Sequence, residues 1–211
     1  MTDPEQPNAP SDPPARLGRE SLNLPNLITV SRFVLSIILF AMIDSGGYWL
    51  ASAALFVFAA ATDWMDGYLA RKYGQVTTLG RILDPFVDKI IVGGAFLFLL
   101  AKDGAVHDGG AIDTGVNAWM VIAVIGREMF VSSLRGFLEQ QGKDFSASFT
   151  GKAKMALQCV AVTASLLSLS PDLHWSWLVP TRDVLLWSAV IVTIWSGLVY
   201  VARAVRLLRQ N

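Results

Sequence analysis

Six apolar runs, each near the length of a bilayer crossing, make up most of this chain, and four aspartates lie inside the second and third. A hydrocarbon layer of roughly 30 Å needs about 20 helical residues. The runs cover about 27–44, 48–72, 80–101, 117–139, 149–170 and 183–206. Hydrophobic residues form 53% of the chain and charged ones only 16%, against about 25% charged in soluble domains. The expected fold is therefore an all-α integral membrane bundle of six transmembrane helices.

Segments between the runs read as loops. Residues 102–116 (KDGAVHDGGAIDTGV) are rich in Gly and Asp, and 171–182 hold two prolines and two tryptophans. Residues 1–21 are rich in Pro and Asp and lack the apolar core of a signal peptide. They read as a disordered tail ahead of one membrane domain over 22–211. Cationic residues fix the orientation. Arg16, Arg19, Arg71, Lys72, Arg81, Lys143, Lys152, Lys154, Arg203, Arg206 and Arg209 fall on one side, and only Lys102 and Arg182 on the other. By the positive-inside rule both ends face the cytosol. Net charge is zero, which gives no ground for nucleic acid as a partner. Cys159, alone of its kind, reads as a small buried hydrophobe. His107 and His174 read as surface histidines of the outer loops, and Trp175, Trp177 and Trp187 as interface anchors.

The aspartates follow the pattern Asp63-x2-Asp66-Gly67-x2-Ala70-Arg71-x8-Gly80-x3-Asp84-x3-Asp88. A carboxylate at the centre of a spanning helix costs about 2.5–3.5 kcal/mol, so four cost on the order of 10 kcal/mol unless neutralised. Asp63, Asp66, Gly67 and Ala70 share one helix face, as do Gly80, Asp84 and Asp88. Two antiparallel helices can therefore aim four carboxylates at one point. Hard divalent cations such as Mg²⁺ or Mn²⁺ are the natural partners of such an oxygen set. The small residues Gly67, Ala70 and Gly80 leave room for a phosphate ligand, and Arg71 could fork onto it. Pro85 would loosen the helix beside Asp84. Lys89 and Arg127 could pair with the acids, but two cations do not neutralise four anions.

This signature resembles that of the CDP-alcohol phosphatidyltransferases, with all eight fixed positions filled over 26 residues (Asp63–Asp88). The resemblance implies six helices around a polar cavity open to the cytosol, two divalent cations, and a CDP-linked lipid substrate. It implies Asp63, Asp66, Asp84 and Asp88 as metal ligands, with Asp88 also the general base. Gly67, Ala70, Arg71 and Gly80 would line the cytidine diphosphate pocket, in which Asp63 and Asp66 also take part.

A second, cationic set lies downstream. Glu128, Ser132 and Arg135 share a face of the fourth run, Arg127 lies about 12 Å deeper than Arg135 at 1.5 Å per residue, and Lys152 and Lys154 open the fifth. Snorkelling to the interface is the plain alternative for Arg135 and the lysines, and an ion pair with an acid for Arg127. The run GREMFVSSLRGFLEQQGKDFSASFTGKAKMALQ is similar to the acceptor half of the bacterial phosphatidylglycerophosphate synthases of that family, and NLPNLITVSR to their first helix. That likeness implies Arg127, Arg135 and Lys152 on the phosphate of glycerol 3-phosphate. Asn26, Thr29 and Arg32 would stand near the nucleotide. The implied reaction transfers a phosphatidyl group from CDP-diacylglycerol to glycerol 3-phosphate, in a homodimer of the bacterial cytoplasmic (inner) membrane. The competing readings are another acceptor (inositol phosphate or phosphatidylglycerol, with serine disfavoured by the basic set) and, in a different class, a cation- or proton-coupled transporter.

Overall fold

Gly46 and Gly47, at φ +73° and +80°, turn the chain at the end of its first apolar run. Such left-handed backbone is open to glycine at little cost, and the Gly46 amide bonds back to the Met42 carbonyl at 3.2 Å. A computed structural model describes residues 24–73, 78–107, 110–141, 149–173 and 175–209. The side chains of 24–26, 63–73, 78–85, 149–150 and 152 lie outside that description, as does the expected tail over 1–21.

Six helices follow in order: α1 (Leu24–Ser45), α2 (Trp49–Tyr73), α3 (Thr78–Lys102), α4 (Ala118–Gln140), α5 (Phe149–Ser168) and α6 (Leu178–Arg209). They match the six runs expected from the sequence. Two differences have simple causes. The expected loop 102–116 contains a two-residue antiparallel pairing, β1 (Val106–His107) with β2 (Gly110–Ala111). Helix α6 begins five residues earlier than its apolar run. Pro180 reads as a breaker in sequence, yet it falls in the first turn of a helix, where no amide is needed.

α1 packs on both α2 and α3, and α6 packs on α4 and α5. The α1–α3 approach is close because Gly94 has no side chain: a Cβ there would stand 2.2 Å from the Phe40 ring, which stacks on Phe98 at 5.0 Å. One interior cluster runs through Leu39, Phe56, Phe96, Leu99, Met120, Val162 and Leu186. Cys159, expected to be buried, is half-buried at its margin, because its position on α5 reaches only the edge of the cluster.

The outward faces are as apolar as the interior. Val30, Val34 and Ile37 on α1, Ile122 and Phe130 on α4, and Ile191, Trp195 and Leu198 on α6 are all exposed. Trp187 is exposed as well, and the exposed pair Trp175 and Trp177 stack at 5.3 Å. Apolar exposure on this scale exceeds what a soluble monomer shows. α1 from Leu27 and α6 are long and apolar enough to cross a membrane.

Arg182, expected as an outer-loop cation, is instead a buried staple at 2% exposure. It donates to the Asp113 carbonyl (2.6 Å), the Asp113 carboxylate (3.1 Å) and the Asp183 carboxylate (2.8 Å). Thr114 next door donates to Asp103 and accepts, at its carbonyl, from Ser165 on α5. The loop before α4 is thus tied to α5 and α6, and Asn117 caps α4 by accepting from the Met120 amide. Gly115 makes the staple possible: its φ is +72°, and a Cβ would meet the Arg182 Nε at 2.7 Å. His107, exposed as expected, closes this end by lying against Gly46 and Gly47. Gly115→Ala combines backbone strain with overpacking and should cost about 2 kcal/mol or more. The apparent melting temperature in detergent should fall by at least about 4 °C. An unchanged value would mean that Arg182 is not held as described.

Candidate functional site

Arg32 is an arginine on an apolar helix, and burial obliges it to find partners. It is 1% exposed. Its Nη2 donates to Asp88 Oδ1 at 2.7 Å, and its Nε to the Ala59 carbonyl at 3.3 Å. One guanidinium therefore spans from α1 to both α2 and α3. The Ala59 carbonyl also accepts from Thr62 Oγ1 at 2.8 Å, and it lies one helical turn before Asp63. Ala59 of α2 and Asp88 of α3 accordingly lie within the reach of a single side chain.

Of the residues expected in the aspartate site, Asp63, Asp66, Gly67, Ala70 and Arg71 fall on α2, and Gly80, Asp84 and Asp88 on α3. All but Asp88 have side chains outside the described set, as do Asn26 on α1 and Lys152 on α5. Thr29 is buried. Among the described residues no group of three candidate ligands forms a metal cluster. The donor set nevertheless suits a hard divalent cation, since its members are carboxylates on two helices that Arg32 brackets.

A cavity of about 250 Å³ opens beside Asp88. α3 lines it with Asp88, Lys89, Val92 and Gly93, and α4 with Val124, Arg127, Glu128 and Arg135. α5 adds Gly151, Lys154, Met155 and Gln158, and α6 adds Tyr200. The structure thus brings Arg127 and Arg135 to the same chamber as Asp88. Lys152 directly follows the lining residue Gly151. Ser132, expected on the shared face, instead turns its hydroxyl back to the Glu128 carbonyl at 2.7 Å. That local bond satisfies a hydroxyl on an apolar helix without an outside partner.

The electrostatics of the chamber are lopsided. Among the described residues, four lining cations (Lys89, Arg127, Arg135 and Lys154) face two carboxylates, Asp88 and Glu128. Asp88 already holds Arg32, and Glu128 Oε1 accepts from both Arg127 Nη1 (3.1 Å) and Lys154 Nζ. Arg127 Nε and Nη2 and Arg135 Nε are buried with no hydrogen-bond partner. A buried donor left unmet costs about 1–3 kcal/mol, more when charged. An anion with several acceptor oxygens would remove that cost.

Three contributors were not read from sequence: the Glu128–Lys154 pair, Gln158, which donates to Thr193 at 2.8 Å, and Tyr200, whose ring lies 5.3 Å from Arg127 Cζ. The signal for the α6 pair was present. Thr193, Ser196, Gly197 and Tyr200 recur at i, i+3, i+4 and i+7 along an otherwise apolar helix.

A helical bundle that carries four aspartates on two of its helices, and brings Asp88 to a chamber with four cations, has residue types suited to phosphate-group transfer. The chain belongs to the CDP-alcohol phosphatidyltransferase family, whose model matches residues 22–195. It is a transferase of phospholipid biosynthesis. A CDP-diacylglycerol–glycerol-3-phosphate 3-phosphatidyltransferase of Bacillus subtilis (strain 168) is 39% identical over 195 residues, 86% of this chain and 94% of the relative. A protein of the same name from Pseudomonas fluorescens is 34% identical over 192 residues, covering 87% of this chain and 90% of its own. One from Arabidopsis thaliana, with the same name numbered 2, is 32% identical over 214 residues, covering 97% and 89%.

Arg32→Ala removes one partner of a buried pair and takes from the Ala59 carbonyl one of its two side-chain donors. For a fully buried pair that costs about 3–5 kcal/mol. Asp88 is 26% exposed, so about 2–4 kcal/mol is expected after that discount. Arg32→Lys should recover little, because an ammonium lacks the fork that spans Asp88 and Ala59. Thermal unfolding in detergent checks both, and a wild-type melting temperature for Arg32→Ala would contradict the bracing role.

Proposed function

We propose that the protein transfers the phosphatidyl group of CDP-diacylglycerol to the hydroxyl of sn-glycerol 3-phosphate, releasing CMP and leaving phosphatidylglycerol phosphate. The observation that carries the acceptor half is the set of buried, unpartnered donors on Arg127 and Arg135 in a chamber that also reaches Asp88. A phosphomonoester dianion, with three acceptor oxygens and two negative charges, meets that need. The names of the relatives support the same acceptor.

Asp63, Asp66, Asp84 and Asp88 would hold two divalent cations, Mg²⁺ or Mn²⁺. Bound there, the cations would neutralise the pyrophosphate of the CDP-lipid and acidify the attacking hydroxyl. Gly67, Ala70 and Gly80 would let the diphosphate approach the backbone, with Arg71 forking onto it. Asn26 and Thr29 would stand toward the nucleotide. Arg32, through its hold on Asp88 Oδ1, would fix the direction of that carboxylate. Asp88 would then take the acceptor's proton while Arg127, Arg135 and Lys152 grip its phosphate. The hydroxyl oxygen forms a bond to the lipid-side phosphorus, and the bond from that phosphorus to CMP breaks.

The exposed apolar faces support all six helices crossing the bilayer, with both termini and the chamber on the cytosolic side. Residues 1–21 would form a tail ahead of a single membrane domain over 22–211, working as a homodimer in a bacterial cytoplasmic membrane.

The deciding experiment is metal-dependent CMP release by purified protein, offered glycerol 3-phosphate, inositol phosphate, serine and phosphatidylglycerol in parallel. Glycerol 3-phosphate alone should drive release. Release driven by another acceptor would overturn the acceptor assignment, and no release with any of them would favour a transporter. Asp88→Asn should keep CDP-lipid binding but lose turnover by about 100-fold or more, the usual scale for a general base. Arg135→Ala should raise the KM for glycerol 3-phosphate about tenfold, the scale of one lost charge-assisted hydrogen bond, with the KM for the lipid little changed.

A further inference from the structure

The reading of Arg127 as an acceptor ligand leaves open what decides the direction of its guanidinium. Arginine carries several rotatable bonds, and a free one would lose much entropy on gripping a ligand. Three contacts restrict this one. Glu128 occupies Nη1 at 3.1 Å. The Tyr200 ring, 2% exposed, underlies the guanidinium with its centroid 5.3 Å from Cζ. Gly197, one turn before Tyr200 on α6, makes way for the stem: a Cβ there would stand 3.2 Å from Arg127 Cγ. With Nη1 taken and the plane backed by a ring, the edge left without an acceptor is Nε with Nη2. That edge presents two parallel N–H groups, the geometry that receives two oxygens of a phosphate.

We propose that Tyr200, with Gly197 beside it, is a positioning residue that holds the Nε/Nη2 edge of Arg127 ready for the acceptor's phosphate. Helix α6 thereby takes part in acceptor selection without touching the reacting atoms. The inference rests on the acceptor reading above. The ring face does the work, since a cation stacks on the π-system and not on the hydroxyl.

The test compares Tyr200→Leu, Tyr200→Phe and Gly197→Ala with wild type, in full-length protein with Mg²⁺, varying glycerol 3-phosphate and CDP-diacylglycerol separately. Tyr200→Leu should raise the KM for glycerol 3-phosphate about tenfold, the scale of a desolvated cation–π contact. The KM for CDP-diacylglycerol should stay put. Tyr200→Phe keeps the ring and should lie within about threefold of wild type in the KM for glycerol 3-phosphate. Gly197→Ala displaces the Arg127 stem by a few tenths of an ångström and should raise the same KM while leaving Tyr200 intact. If Tyr200→Leu does not fold, the contrast between Gly197→Ala and Tyr200→Phe decides. A merely structural role would lower the active fraction, and so the apparent kcat, without moving one KM alone. Equal KM values for glycerol 3-phosphate across the variants would overturn the positioning role and leave the acceptor reading intact. Wild type that ignores glycerol 3-phosphate would remove both.

Discussion

A single buried guanidinium holds the first half of this bundle in register. Arg32 reaches from α1 to a carbonyl of α2 and a carboxylate of α3, and hydrogen bonds fix distance and direction together. Helices packed only by shape can slide past one another; helices that share one fork cannot. The close approach at Gly94 and Phe40 adds a second fixed point between α1 and α3. Together these set where the acids on α2 and α3 can stand. The first helix, which carries few polar groups of its own, thus acts as the frame for chemistry written on its neighbours.

In the second half, the described residues carry more cation than acid. Glu128 serves two cations at once through one oxygen, and further donors on Arg127 and Arg135 go unmet. Buried charge in excess of its partners destabilises a fold, so the arrangement costs stability that an anion would restore. α6 holds that tension in place. Gln158 and Thr193 pin it to α5, and Tyr200 backs it onto α4.

Much of this was legible in the chain. Apolar run length located all six helices to within a few residues, because a crossing length is a coarse quantity that sequence states directly. The spacing from Asp63 to Asp88 marked the acidic pair of helices, and Glu128 and Arg135, read on one face by helical periodicity, both line the chamber. What sequence did not give depends on the third dimension. Nothing in Arg32 alone says that its partner is Asp88, 56 residues away. Arg182 looked like a loop cation because Pro180 looked like a break, and only the helix start shows the proline in a harmless place. Ser132 has the right period for the chamber but satisfies itself locally, a choice that periodicity cannot reveal. Tyr200 was hidden by the apolar character of α6, whose polar stripe is easily taken for small residues that let helices pack.

The Arg182 staple bears on traffic through the molecule. It draws the chain before α4 onto α5 and α6 at the end of the bundle opposite the cationic chamber, beside a second cavity of about 420 Å³. Among the described residues the two hollows share no lining residue, and the packed girdle of Phe96, Leu99, Met120 and Leu166 lies between them. The chamber and the stapled end are therefore separate hollows, one toward each end of the bundle. An anion drawn to the unmet donors of Arg127 and Arg135 would thus meet the bundle away from the end that Arg182 ties together.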